Sequence, residues 1–295
     1  MKPAPFEYRR VATAEEALAQ LAEDGEDAKL LAGGQSLVPM LNFRLARPAR
    51  LIDISRVGEL AHVARRDGAL RIGATTKQAV LERSALVARE WPLLHDAVLQ
   101  VAHPQIRNAG TVGGSVAHAD PAAELPVACV TLDATLHVRS ARGARTLPAA
   151  DFFVTHLTTA MEPDELLAEI EIPPLPARTG HAFVEFARRH GDFALGGAAA
   201  LLTLDGDGAC TRARLTLMTA APVPWRAAAA EQRLVGSRLG DDDLREAVEL
   251  AVAEIEPTGD IHGSTAYRTS LAGTMAQRAL AQARTAAAQA GEGAR

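Results

Sequence analysis

The chain has 295 residues, 48% of them apolar, and a formal net charge of −5. That length fits two domains or one large one, and the apolar share is enough for packed cores, while the mildly acidic balance argues against a nucleic-acid groove or a basic membrane patch. Two widely separated cysteines, Cys129 and Cys210, cannot build a disulfide framework, a thiolate metal site or an iron–sulfur cluster.

The opening MKPAPFEYRR lacks an apolar signal core, and no window holds the ~20 apolar residues of a membrane span. A cytoplasmic location is the expectation. Residues 13–25 predict a helix: Thr13 and Glu16 have capping-box spacing, Ala17, Leu18 and Leu21 mark one face, and Gly25 ends it. AKLLAG, residues 28–33, is a short apolar strand that runs into a double glycine, and the pattern loosens between Pro39 and Arg47. Residues 50–57 and 69–76 read as strands, and residues 75–90 and 92–102 as helices, with Pro92 opening the second. A second glycine turn follows in IRNAGTVGGSVAHADP, residues 106–121. Residues 125–140 change from helical to strand-like spacing, and residues 165–172 alternate as a strand until Pro173-Pro174 stops them.

A domain boundary is placed at that Pro-rich stretch. Residues 181–189, 196–204 and 210–220 are three further strands, the last two joined by the hairpin signal DGDG. Residues 241–257 form the clearest helix, with Leu244, Ala247, Val248, Ala251, Val252 and Ile255 on one face and acidic residues at its positive end. Residues 265–290 form a second long helix with a frayed end. The expected division is 1–175 (subdomains about 1–56 and 57–175), 178–285, and a frayed tail 286–295.

The two glycine turns carry the chemistry. A glycine pair lets a ligand approach the main chain, and successive N–H groups in such a turn make an anion-binding nest. AGGQS and TVGGS each add a hydroxyl donor. Neither is a nucleoside-triphosphate P-loop or a G-x-G-x-x-G dinucleotide fingerprint. Two nests suit a pyrophosphate gripped from both sides, whereas a lone Gly-Gly is most often only a turn. His103 and His118 flank the second turn, where a lone histidine is more often a boundary residue than a reactive one. No histidine or carboxylate spacing suggests a metal, and Ser36 and Ser115 have no sequence-local base.

Four collinear phrases, LLAGGQSLVPMLNFRLARPARLIDI, QIRNAGTVGGSVAHADPAAELP, RRHGDFALGGAAA and IHGSTAYRTSLAGTMAQRAL, together resemble the FAD-binding medium subunit of molybdenum hydroxylases, the carbon monoxide dehydrogenase and xanthine dehydrogenase family. The resemblance implies an α+β fold: a vanillyl-alcohol-oxidase (PCMH)-type FAD-binding domain of two subdomains, followed by a smaller α+β domain of the CO dehydrogenase flavoprotein C-terminal type. It implies that Lys29, Leu30, Leu31, Ala32, Gly33, Gly34, Gln35, Ser36 and Leu37 wrap the FAD pyrophosphate from one side. Gly110, Thr111, Gly113, Gly114 and Ser115 would close it from the other, with Ala117 and His118 beside them. Val101, Ala102 and Ile106 would line the flavin or its ribityl chain, Glu124 would reach the adenosine ribose, and Leu166 and Leu167 would pack on the adenine. Asp192 and Phe193 would approach the isoalloxazine ring.

Three positions depart from the family pattern: Gln35 stands where His is frequent, Ser115 where Asp or Asn is, and Glu185 where Lys is common. An ionised Glu185 near the flavin would disfavour its reduction; the side chain could instead point to solvent. By resemblance the chain is an electron-transfer subunit, with no catalytic acid or base. It would take electrons from 2Fe-2S clusters of a small partner, fed by the molybdenum-pterin centre of a large one, and pass them to a small-molecule acceptor in a dimer of heterotrimers. A stand-alone flavin oxidase or reductase, or a non-catalytic nucleotide-binding module, are the alternatives.

Overall fold

The computed structural model describes residues 2–292. The chain begins with β1 (Glu7–Arg10), α1 (Ala14–Asp24), β2 (Ala28–Leu31), α2 (Leu37–Asn42) and β3 (Arg50–Asp53). Thr13 Oγ1 accepts the Glu16 N–H at 3.1 Å and Glu59 the Ala14 N–H at 2.7 Å, which satisfies two orphan donors of this helix start, while Glu16 reaches back to the Ala12 N–H at 2.8 Å. Ala17, Leu18 and Leu21 turn inward with Ile52 and Ile54 into a small core. The three strands are parallel in the order β1-β3-β2, which leaves β2 at an edge and delivers its C-terminal end to the first glycine pair.

Next come β4 (Val63–Arg66), β5 (Ala69–Gly73), α3 (Gln78–Glu82), α4 (Ala85–Glu90), α5 (Pro92–Gln100), α6 (Pro104–Ala109), α7 (Val112–His118) and α8 (Glu124–Thr131). They are followed by β6 (Thr135–Ser140), β7 (Gly143–Pro148), α9 (Ala149–Phe152), β8 (Phe153–Thr155), β9 (Thr158–Thr159) and β10 (Leu166–Ile172). An antiparallel sheet in the order β4-β5-β10-β6-β7 carries the helices on one face, and the large core lies between. Trp91, 1% exposed, plugs that core and donates its Nε1–H to Pro173 O at 2.9 Å, which pins the Pro-rich segment leaving β10.

The last part comprises β11 (Thr179–Phe186), β12 (Gly196–Leu204), β13 (Cys210–Met218), β14 (Trp225–Arg226), α10 (Ala228–Leu234), α11 (Asp241–Ala253) and α12 (Thr265–Glu292). Its antiparallel sheet, β11-β12-β13-β14, has two covered faces. On one lies α12, whose Ala272, Ala276, Ala279, Ala283 and Ala287 are all buried. The small side chains bring the helix backbone onto the sheet: a Cβ on Gly180 would run into the main chain at Ala283 and Ala287. The other face presents Phe183, Ala199, Leu201 and Met218 to the large core beside α5 and α8. β12 is therefore buried on both sides, which is why its sequence reads as a continuous apolar run rather than an alternation.

Several expectations change. The loosened stretch from Pro39 overlaps α2, which begins at Leu37 and whose six residues are too few to show a period. The helix expected over 75–90 is two, α3 and α4, with Ser84 Oγ capping the second through the Val87 N–H. The frayed end expected from residue 286 is helical through Glu292, where Ala287 packs under the sheet; residues 293–295 lie outside the described ones. The second glycine turn is the start of a helix, with consequences for the site.

Candidate functional site

The glycine segments are 80 residues apart and in contact. A Cβ on Gly33 would lie 2.7 Å from Ala109 O, 2.8 Å from Gly110 Cα and 2.9 Å from Thr111 N. A Cβ on Gly114 would meet Thr111 Oγ1 at 2.5 Å, with the Ala32 methyl 3.9 Å away. Only glycine permits this approach of the two chains. Lys77 ties the second segment down: its Nζ donates to Ala109 O at 2.8 Å, and burial lowers its pKa against the opposing pull of Asp53. Asp53 itself is buried, yet bonds from Ser55, Tyr8 and Arg10 outweigh desolvation and hold its pKa down at about 2.

The two segments do different work. In the first, Gly34 is left-handed at φ 71°, and Val38 N–H already closes onto Gly34 O. Among the described residues, no backbone N–H from Ala32 to Leu37 has a protein acceptor, and the Ser36 hydroxyl makes no cap. Successive unpaired amides around a left-handed glycine are the makings of an anion nest. Gln35 does not add to it: its Nε2 folds back onto Gly33 O at 2.9 Å.

In the second segment the amides are spent inside the chain, so the expected second nest is absent. Val112 N–H goes to Thr76 O, Gly113 N–H to Ala74 O, Gly114 N–H to Thr111 Oγ1 and Ser115 N–H to Thr111 O. These glycines serve close packing instead. A Cβ on Gly113 would collide with Ala74, whereas Gly114 looks toward Ala32 and forms a wall with no side chain. The packed segments therefore combine a donor-rich turn with a glycine-lined helix start that carries the Ser115 hydroxyl, and neither AGGQS nor TVGGS brings a carboxylate. That donor set fits a diphosphate-bearing cofactor.

The remaining expected residues are not all brought together. Val101 and Ala102, the latter left-handed at φ 37°, form a strap held by Arg107 Nη1, which donates to Val101 O at 2.8 Å. Arg107, missed in the sequence, is itself clamped by Glu82 through two bonds of 2.9 and 3.0 Å. Its signal was only its place inside the turn motif. Ile106 is half-buried on the same helix, and Lys29 is exposed on β2, while Leu30 packs on the small core and Leu31 lies beside Gly34. The 187–195 loop closes over the strap, because Gly191 packs directly on His103 and the Ala102 carbonyl. It leaves Phe193 75% exposed, with Asp192 beside it. Ala117 and His118 lie half-buried on α7, and burial lowers the His118 pKa. Leu166 and Leu167 are sealed in the cores at 0% and 4% exposure, so their side chains have no free face for an adenine.

Two buried carboxyls, Glu124 of α8 and Glu185 of β11, are pushed toward their un-ionised forms. Glu124, 9% exposed in the first turn of α8, has its pKa raised to about 7 by burial, with Asp120 adding and Arg107 opposing. Glu185 on β11 has its pKa raised to about 8 by burial and by the charge of Glu124. At neutral pH that shift favours the un-ionised form of Glu185.

The profile of the FAD-binding domain in molybdopterin dehydrogenase matches residues 4–175, and that of the CO dehydrogenase flavoprotein C-terminal domain matches residues 181–283. The 6-hydroxypseudooxynicotine dehydrogenase complex subunit alpha of Paenarthrobacter nicotinovorans is 46% identical over 96% of both chains. Among solved structures, carbon monoxide dehydrogenase from Hydrogenophaga pseudoflava superposes with a TM-score of 0.94 at 38% identity, over 97% of this chain and 99% of that one. Quinoline 2-oxidoreductase from Pseudomonas putida 86 superposes with a TM-score of 0.92 at 41% identity, again over 97% and 99%. With both halves matched and the whole length shared, this chain belongs to the FAD-binding medium-subunit family of molybdopterin dehydrogenases, an FAD-carrying component of an oxidoreductase.

Proposed function

We propose that this chain is the electron-relay subunit of a molybdenum hydroxylase complex and holds FAD between its two glycine segments. The observation that carries the reading is the run of unpaired amides from Ala32 to Leu37, on a segment packed against the glycines at Gly110 to Gly114. The amides and Ser36 would take the pyrophosphate, and Thr111 and Ser115 would complete the enclosure. Val101, Ala102 and Ile106 would hold the ribityl and flavin end, and Asp192 and Phe193 would cover it from the C-terminal side. Glu124 would accept bonds from the ribose hydroxyls, which suits an ionised carboxylate.

Bound FAD supplies the two-electron and one-electron redox chemistry, which no side chain can provide. The chain's own task is to bind, orient and screen it. Electrons would arrive from 2Fe-2S clusters in a small partner chain, which draw them from a molybdenum-pterin centre in a large one, and would leave to a small-molecule acceptor. Two buried cysteines cannot ligate a cluster here, so the clusters belong to another chain. A dimer of such heterotrimers is the expected assembly. No described helix is long and apolar enough to cross a membrane.

The test is to seek a cysteine-rich small chain and a very large chain in the neighbouring reading frames and to co-express them with this one. The reading requires a co-purifying three-chain complex whose flavin is reduced on adding the substrate of the large chain. Substrate turnover by this chain alone with FAD would instead make it a stand-alone oxidase or reductase.

A further inference from the structure

α2 has the sequence of an interior helix and stands in the open. LVPMLN is apolar at every position but the last, and a helix apolar all round belongs in a core. Here Leu41 is its one buried residue, and Val38 and Pro39 are exposed. The helix end continues the pattern. Leu45 N–H bonds Met40 O at 2.9 Å and Arg44 N–H bonds Leu41 O at 3.0 Å, the paired bonds of a Schellman ending. The left-handed position of such an ending favours glycine, yet it is filled by Arg44 at φ 58°. The next residue commonly packs back on the helix, yet Leu45 is 76% exposed. Phe43, on the other side of Arg44, is 64% exposed. A hydrogen-bonded turn thus holds two large apolar side chains in water with an arginine between them.

The charge here is one-sided. From Ala28 to Ile52 the chain carries Lys29, Arg44, Arg47 and Arg50 and no carboxylate, although the whole chain stands at −5. Arg50 is paired with Asp24 and Glu7. Arg44 and Arg47 donate only to carbonyls, Lys2 O at 3.2 Å and Arg44 O at 2.9 Å, and neither has a carboxylate partner among the described residues. Apolar anchors beside arginines make up the centre of protein interfaces, and unpaired arginines call for acids on the other side. A second copy docking by two-fold symmetry would set these arginines against themselves. An anionic bilayer fits less well, because α2 spans only about 9 Å and the chain's net charge has the wrong sign.

We propose that α2 and the Phe43-Arg44-Leu45 turn are the docking point for the small 2Fe-2S chain, on which an apolar hollow edged by carboxylates receives Phe43 and Leu45 and pairs with Arg44 and Arg47. The proposal rests on the electron-relay reading, which supplies that chain as the donor. Position favours it over the large chain. α2 begins at Leu37, where the run of unpaired amides assigned to the cofactor ends, so a chain seated here lies beside the group it must reduce.

The experiment is titration of this chain into the co-purified small–large pair, with a second arm that places the photo-crosslinking residue p-benzoylphenylalanine at position 45 of the assembled complex. Phe43→Ala combined with Leu45→Ala should keep the native circular dichroism and weaken binding about thirtyfold, the loss expected at an interface hot spot. Arg44→Glu combined with Arg47→Glu should weaken binding and flatten its dependence on salt. Native affinity in both double variants overturns the surface. The crosslinking arm decides even where a variant misfolds: a crosslink to the small chain supports the proposal. A crosslink only to the large chain or to a second copy, or none in the assembled complex, overturns it. So does binding to phosphatidylserine vesicles that is lost in the Phe43 and Leu45 double variant. Each of these leaves the relay reading standing if the complex still reduces its flavin, whereas failure of any three-chain complex to form overturns both.

Discussion

Gly113 and Gly114 are neighbours with opposite jobs, and substitutions separate them. Gly113 lies against Ala74, so Gly113→Ala forces backbone apart and should destabilise the fold by about 1–3 kcal/mol whether or not FAD is present, as denaturant unfolding would show. A Cβ on Gly114 would press on the Thr111 hydroxyl alone, with Ala32 in ordinary contact at 3.9 Å, so Gly114→Val should displace that cap, keep the native circular dichroism and lose FAD, measured as flavin absorbance after gel filtration. Glu185 gives a pH signature. Its folded pKa of about 8 lies above its ordinary 4.5, so the native state keeps a proton that the unfolded chain has lost. Stability therefore falls as pH rises from about 4.5 to about 8, by up to about 1.4 kcal/mol per unit, and levels off above. Glu185→Gln should flatten that slope in urea titrations. The motif AGGQS was legible because a left-handed Gly34 has a sequence signature. The role of Glu185 was not, because ionisation depends on what the fold places opposite it.

The elements that bear the site were legible where their period was long. α11 and α12 stand close to where their patterns put them, and so do β2, β3, β5 and β10. Short pieces were lost: α2, α6 and α7 each have six or seven residues, and their ends are decided by caps such as Thr111. A helix beginning at Val112 consumes the amides that a turn would have left free, which is why the second nest vanished. β1 and β4 are exposed, charged strands without an apolar alternation to announce them. One contact between elements invites a test. Asp133, just past α8, receives Arg212 and Arg214 of β13 and Arg226 of β14 at 2.6–2.8 Å. Desolvation works against its charge, but these arginines prevail and lower its pKa. Asp133→Ala leaves three guanidinium groups short of a partner and should cost about 2–4 kcal/mol in unfolding experiments. The sign is opposite to that of Glu185: this stability is present above the ordinary carboxylate pKa and is lost as pH falls through the depressed folded value. Native chain and Asp133→Ala should converge in acid.

The molecule as a whole is a parallel three-stranded sheet, a five-stranded antiparallel sheet and a helix-backed C-terminal sheet, arranged so that chain segments distant in sequence close on one cleft. Collinear motifs foretold the family, because backbone approach at glycine leaves a durable trace in sequence. They did not foretell that the amides of the first glycine segment stay unpaired while those of the second are bonded within the chain. The most direct measurement is thermal unfolding of the purified native chain and Gly114→Val, each with and without FAD. A ligand that binds only the folded state must raise its stability, by about 2.7 kcal/mol at a hundredfold excess over its dissociation constant. The account predicts that gain for the native chain and none for Gly114→Val; no gain in the native chain, or an equal gain in both, would contradict it.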